Sequence, residues 1–389
     1  MAAAAAVAAT GTAPTLVRRH RFAFVLEQTL GHVTHGRNLV RAVAADPGVD
    51  PFIVRVDYAD PTGLHRLPGL RTWSWRASEI ARDALRSRLA LAPLDGVFMH
   101  TQVLSLLAIE VMRSVPTVVS LDATPRVFDR EGEAYGHHRG PEVTEMIKRR
   151  LNLRSFAAAA RLLTWCRWAA YSLISDYGVP PDKIDVIPPG VDLSLFRPSL
   201  IPRKSDRVRV LFVGGDFRRK GGFDLLEAAR AMPDRVHLDL VSSTSEKIAV
   251  PPGVSATVHR DLKAQSDELV QLYRSADVFA LPSRGDCMPQ AVAEALACGL
   301  PVVATAVGAI PEMVSDTVNG YLVRPGSPRA IAAAIAALVN SPGLRFTMGR
   351  RSVKLAELEH DAARNNTRII SLMKRLVVAS ELQREPAAS

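Results

Sequence analysis

At 389 residues, 48% of them hydrophobic, the chain is too long for one ordinary core and suits two globular domains of about 180 residues each. A formal net charge of +10 favours acidic partners such as a phosphorylated substrate or an anionic membrane surface; with no zinc finger, RNP-like strand or arginine-rich tail, nucleic acid is not expected. Cys166, Cys287 and Cys298 are too scattered for a disulfide framework or a zinc pattern, which points to a reducing, cytoplasmic setting, and no run of about 18 or more apolar residues suggests a transmembrane span.

The alanine-rich Met1–Val17 precedes the basic cluster Arg18, Arg19 and Arg21. That is the wrong order for a secretory signal, so residues 1–20 are expected to be a disordered leader. Phe22–Leu26 reads as the first strand. It feeds the loop Glu27–Gly36, which holds Gly31, His32 and His35, and then a helix with Leu39, Val40 and Val43 apolar. With Phe52–Val56 as the next strand, this is the start of a doubly wound domain. The loop has no Gly-x-Gly-x-x-Gly fingerprint. His32 and His35 either meet a phosphate or an acceptor, or make ordinary contacts at the start of the helix. Residues 60–77 read as irregular, 78–92 as a helix, Gly96–Met99 as a strand and 103–113 as a helix. The strand Val118–Leu121 ends at Asp122, which either meets a ligand or caps the next turn.

Residues 141–162 read as one helix in which Val143, Met146 and Ile147 are apolar and Lys148, Arg149, Arg150 and Arg154 are basic. Such a combination docks on anionic lipid headgroups or forms a plain basic surface. Leu163–Cys166 is read as the last strand of the first domain and 167–178 as a helix. The proline-rich stretch 198–202 suits a stiff linker. The first domain is therefore placed at 21–200 and the second at 203–360.

In the second half, the strand Val208–Val213 runs into Gly214-Gly215-Asp216-Phe217-Arg218-Arg219-Lys220-Gly221-Gly222. Glycines after a strand let backbone approach a ligand, and three cations beside a helix start suit a diphosphate; the alternative is a basic surface turn. Further on, an apolar run ends at Pro282, a polar loop carries Asp286, and a helix from Pro289 to Cys298 carries Glu294. Gly299 and Pro301 stop that helix, and Val302 begins another strand. The two acids either bind sugar hydroxyls or are a helix-start carboxylate and an exposed helix glutamate. Cys287 has no base near it in sequence and reads as a neutral space-filler. A final helix is expected near 361–379, with Glu381–Ser389 as a frayed tail.

Residues 281–305 resemble the ligand-binding segment of the retaining GT-B glycosyltransferases of family GT4, the glycosyl transferases group 1. The match rests on Pro282, Ser283, Asp286, Glu294, Ala295, Gly299, Pro301, Val302 and Val303. It is joined by Gly214 with Lys220, by Ile187-Pro188-Pro189-Gly190-Val191-Asp192, by Gly308 before Pro311-Glu312, and by Asn319-Gly320. The resemblance implies an α/β fold of two Rossmann-like domains facing a cleft, with helix 361–379 crossing back to the first. It implies transfer of a sugar from a nucleotide-sugar donor to a hydroxyl acceptor with retained configuration, without a metal or other cofactor. Lys220 is then expected on the donor pyrophosphate, Asp286 on the transferred sugar and Glu294 on the ribose. Gly31, Gly214, Gly215, Arg218, Arg219, Met288 and Pro289 are expected to line the donor site, and Gly190 to make a tight turn.

Three positions depart from the family pattern. Asp286 stands for the usual glutamate. Asp122 stands where a histidine is usual, as a sugar-hydroxyl acceptor or a general base. Gly215 stands for an arginine whose charge Arg218 or Arg219 replaces. Asp122, Asp286 and Lys220 are the expected catalytic set. A catalytically impaired sugar-nucleotide-binding protein and a sugar-nucleotide epimerase are the competing readings. The basic helix adds an expected peripheral contact with the inner face of a membrane.

Overall fold

The computed structural model describes residues 18–29, 31–57, 73–136, 140–199 and 206–384. Among them, two sheets of six parallel strands are formed. The first has the order β2-β1-β3-β4-β5-β6, from β1 His20–Glu27, β2 Val49–Val56, β3 Gly96–Met99, β4 Thr117–Leu121, β5 Arg161–Thr164 and β6 Ile184–Val186. The second has the order β12-β11-β10-β7-β8-β9, from β7 Val208–Val213, β8 Val236–Val241, β9 Ala256–His259, β10 Val278–Leu281, β11 Val302–Thr305 and β12 Gly320–Val323. Central strands such as β3, β10 and β11 are buried along their whole length. Helices cover both faces of a parallel sheet, so these strands read as continuous apolar runs rather than alternating ones.

The helices of the first half are α1 His32–Ala45, α2 Trp73–Leu91, α3 Ile109–Ser114, α4 Pro125–Arg130, α5 Glu142–Ala158 and α6 Arg167–Tyr177. Those of the second are α7 Gly222–Ala229, α8 Asp267–Ser275, α9 Gln290–Ala297, α10 Ile310–Met313, α11 Pro328–Asn340, α12 Pro342–Glu359 and α13 Ala362–Arg384. In each sheet the strand order reverses beside the first strand, between β1 and β3 and between β7 and β10. A crevice opens at the carboxyl ends of strands at such a reversal, and ligands bind there. The reversal in the second sheet aligns Val210 with Val278. It therefore brings the loop after Val213 beside the loop after Leu281.

Several expected boundaries move. Trp73 and Trp75 start α2 rather than belonging to an irregular stretch, because Ala77, Ala81 and Leu85 give that helix its buried face. The helix expected at 103–113 is broken. Gln102–Ser105 is a 3-10 turn, and the Leu107 N–H is taken by Ser78 Oγ at 2.7 Å. Helix α5 stops at Ala158 and leaves Arg161–Thr164 for β5. The last strand of the first sheet is the three-residue β6, paired through Leu162 and Ile184. Arg18, the first described residue, pairs with Asp95 and Glu381, and His20 opens β1, so residues 18–20 belong to the fold and not to the expected leader. Residues 381–384 are helical rather than frayed.

Helix α13 packs against the first half. Lys374 Nζ lies 2.8 Å from both carboxylate oxygens of Asp46, and Asn365 Nδ2 donates to Pro188 O at 3.0 Å. Gly190 serves this return rather than a tight turn. A Cβ there would collide with the backbone of Asp361 and Ala362, which pass directly over it. Residues 1–17, 30, 58–72, 137–139, 200–205 and 385–389 lie outside the described residues, and with them the expectations for most of the leader, most of the stretch 60–77 and most of the proline-rich linker.

Candidate functional site

The β7–α7 and β10–α9 loops lie one on the other. Gly221 has φ +78, and a Cβ there would run into Pro282 O. A Cβ on Gly214 would come 2.9 Å from both Cβ and Cγ of Lys220. Only glycine fits at these two points, and the fit directs Lys220 across to Asp286. Its ammonium forms an ion pair with Asp286 Oδ2, and both side chains are nearly buried. Two residues read from separate stretches of sequence are thus partners. Ala309 N donates to Cys287 O at 2.8 Å, which ties the loop before α10 to the loop that carries Asp286.

The two neighbouring arginines behave differently. Arg219 is 9% exposed; it donates to Gly285 O at 2.9 Å and stacks 4.4 Å from the ring of Tyr135. Arg218 is 69% exposed, pairs with Glu246 and lies over Phe223. Of the two arginines expected to replace the missing charge, Arg218 turns to the rim and Arg219 lies at the cleft. Gly215 is exposed, and its carbonyl accepts from Ser242 Oγ at 3.1 Å. Met288 is buried, and Pro289 occupies the N-cap position of α9.

Glu294 is buried within α9 rather than on an exposed face. Burial pushes its carboxyl up to about 7, while a hydrogen bond from Tyr273 works in the opposite direction. Desolvation is the larger of the two effects, so the protonated form is favoured well above the ordinary carboxyl range.

The wall of the first sheet is built around histidines. His32 and His35 project from the first turns of α1, and His100 follows β3. Their rings surround Trp165, with centroids 4.7, 5.3 and 6.1 Å from it. Burial drives His35 down to about 3 and His100 well below its ordinary value, so both are neutral. His32 reaches outward, with Nε2 3.7 Å from Asp122 Oδ2. Glu27, at the end of β1, is buried and accepts from Thr29 and Thr101. Gly31 precedes α1 in an ordinary helical conformation. Its role is proximity, since a Cβ there would lie 3.5 Å from Gln290 Cγ in the other half.

The two walls touch. A Cβ on Gly285 would be 2.5 Å from Ala134 Cβ, and Tyr135 Oη lies 3.9 Å from Cys287 Sγ. Ala123, Val127 and Cys287 pack together. Burial, then Asp122 and Asp286, raise the Cys287 thiol well above its ordinary value, which keeps it protonated. Sequence reasoning missed Tyr135, Gln290 and the His32–Asp122 contact. Gln290 offered one signal, a polar side chain at the start of a ligand-loop helix. Both its amide atoms are buried with no partner among the described residues. No group of three or more His, Cys, Asp or Glu placed to hold a metal ion occurs among the described residues.

The family model for Glycosyltransferase Family 4 matches residues 30–195, and that for Glycosyl transferases group 1 matches 207–341. A D-inositol 3-phosphate glycosyltransferase of Paenarthrobacter aurescens is 30% identical over 297 residues, 71% of each chain. The chain belongs to glycosyltransferase family 4. A family 4 relative of the same name from Segniliparus rotundus is 37% identical over 218 residues, 51% of this chain and 48% of that protein. The alignments thus span about half the length of the first curated relatives. Among solved structures, sucrose-phosphate synthase from Thermosynechococcus elongatus superposes with a TM-score of 0.73 at 20% identity, over 93% of this chain and all of that one. Anabaena HepE in complex with UDP and glucose superposes with a TM-score of 0.65 at 16% identity, over 92% and 100%. The fold is GT-B, two parallel sheets facing a cleft.

If a nucleoside diphosphate such as UDP binds at Lys220, as proposed below, the Lys220–Asp286 pair predicts opposite effects of removing its two members. Asp286→Asn frees the ammonium and removes a like charge from an approaching diphosphate, so UDP affinity rises several-fold. Lys220→Ala leaves Asp286 unpaired, and UDP affinity falls by about tenfold or more. Isothermal titration of both variants with UDP checks the two signs.

Proposed function

We propose that this chain transfers a sugar from a nucleotide-sugar donor to a hydroxyl acceptor with retention of anomeric configuration. The observation that carries this reading is the Lys220–Asp286 pair at the strand-order reversal of the second sheet. A donor diphosphate placed there meets the Lys220 ammonium and the backbone N–H groups at the start of α7. Asp286, released from Lys220, accepts from hydroxyls of the transferred sugar. The Glu294 carboxylate accepts from the ribose diol. Charge that develops on the leaving diphosphate is offset by Lys220 and Arg219, and the proposal includes no metal or other cofactor.

The acceptor enters from the wall that carries Asp122 and His32. In this scheme the leaving phosphate oxygen takes the acceptor proton, and no protein nucleophile is used. A protonated, buried Cys287 fits that scheme. Asp122 beside His32 is suited to hold the acceptor or sugar hydroxyl as a hydrogen-bond acceptor. The relatives' name makes a phosphorylated cyclitol the first acceptor to try, and UDP-glucose is the first donor.

A membrane contact belongs to the same proposal, with the protein acting at the cytoplasmic face. On α5, Val143, Met146 and Ile147 are 63%, 64% and 53% exposed, and Arg150 and Arg154 are exposed beside them. Apolar side chains flanked by arginines suit an anionic lipid surface. Among the described residues no single helix is long and apolar enough to cross a membrane.

Glu294 gives the transfer reading a pH signature. Its folded pKa lies above the ordinary carboxyl value, so the empty protein is most stable with the proton on and loses that stability as pH rises through about 7. Ribose binding needs the proton off. Affinity for UDP-glucose, whose diphosphate diester does not titrate in this range, is therefore expected to rise between about pH 6 and pH 8 and to be weak and flat in Glu294→Gln. Sugar transfer by the wild type, lost in Glu294→Ala and Lys220→Ala, supports the proposal. Unchanged turnover in both variants contradicts it. For the membrane contact, sedimentation with phosphatidylglycerol vesicles is expected to fall at least several-fold in Ile147→Glu, with little binding to phosphatidylcholine by either protein.

A further inference from the structure

Glu312 lies in α10, on the second sheet, yet its carboxylate caps a helix of the first. Oε2 accepts from the backbone N–H of Arg167 at 2.8 Å, and Oε1 from that of Trp168 at 2.7 Å. Arg167 and Trp168 are the first two residues of α6, whose own N-cap residue, Cys166, supplies no side-chain cap. The first N–H groups of a helix lack an intrahelical partner and form the positive end of its dipole. A carboxylate there makes two charge-assisted hydrogen bonds. Such a cap normally comes from the residue next to the helix in sequence. Here it arrives from 145 positions along the chain and from the opposite wall of the cleft.

Both ends of this contact lead into the site. On the side of Glu312, the same loop donates from Ala309 N to Cys287 O, and a Cβ on Gly308 would collide with Asp286 O. On the side of α6, Cys166 Sγ donates to Asp122 O at 3.7 Å. Glu312 therefore joins the strip of backbone that carries Asp286 to the strip that carries Asp122.

We propose that Glu312 is a positioning residue: by capping α6 from the other domain it latches the cleft closed and sets Asp122 opposite Asp286. The bond pair exists only when the walls meet. When they part, α6 exposes two N–H groups to water, which can replace the carboxylate. The latch is thus weak enough to open for substrates. Its consequence for turnover rests on the sugar-transfer reading; its consequence for closure does not.

The full chain is compared as wild type, Glu312→Ala and Glu312→Gln. Small-angle scattering without ligand is expected to show a larger radius of gyration for Glu312→Ala. Titration with UDP, which the proposed function places on the second half alone, is expected to give a dissociation constant within about twofold of wild type. Turnover of UDP-glucose is expected to fall about tenfold, the size of one lost cap, with the acceptor KM rising. Glu312→Gln, whose amide oxygen can accept one of the two bonds, is expected to lie between, and it carries the test if the alanine variant does not fold. A Glu312→Ala protein that melts at a lower temperature but scatters like wild type has lost a local cap only, and that result overturns the latch. If no transfer is found even for wild type, scattering still decides the latch, and only the functional reading fails.

Discussion

The ion pair between Lys220 and Asp286 is the contact on which the site depends. Two charges taken almost out of water are costly unless each finds the other, and removing either leaves an uncompensated charge. The pair forms because parallel strands β7 and β10 are neighbours at the strand-order reversal and because glycines at 214 and 221 let the two loops pack without Cβ atoms. The Lys220 ammonium is therefore neutralised from within the protein. In the proposed function, donor binding is an exchange of partners in which the ammonium passes to phosphate and the carboxylate to sugar. Aspartate at 286 forms this pair with a side chain one methylene shorter than the glutamate usual in the family.

The opposite wall uses a different economy of charge. Three imidazoles, two of them held neutral by burial, form an apolar floor with Trp165. Asp122 and Glu27 remain as acceptors around it. In the proposed function the second half supplies positive charge for the nucleotide, and the first supplies acceptors for hydroxyls. Tyr135, stacked on Arg219, and Glu312, capping α6, hold the halves in register. The family places the chain among sugar transferases; these contacts say how this particular chain assembles its cleft.

The strand–loop–helix units that carry the proposed donor side were legible in the sequence, because strand, glycine loop and helix follow one another within short windows where local rules apply. Lys220, Asp286 and Glu294 were singled out within them by the resemblance to the family, since local pattern alone left a surface turn, a helix-start carboxylate and an exposed glutamate as alternatives. Their pairing was not, since ion pairs between loops depend on strand order. The choice between Arg218 and Arg219 was also hidden. Adjacent residues on a turn point in different directions, and the one that turns inward is fixed by Tyr135, from a distant part of the chain. The fragmented stretch after β3 and the three-residue β6 escaped for a related reason: their backbone groups are satisfied by Ser78 and by β5, not by neighbours in sequence. The apolar residues of α5 fitted a helical pattern, yet Val143, Met146 and Ile147 face outward, which periodicity alone does not distinguish from a core face.

A crystal structure with UDP-glucose bound measures the exchange of partners directly. The expected result is a diphosphate oxygen within hydrogen-bond distance of Lys220 Nζ, Asp286 turned to a sugar hydroxyl and the ribose diol on Glu294. A bound donor whose diphosphate lies elsewhere, with the Lys220–Asp286 pair intact, would contradict the assignment of this cleft.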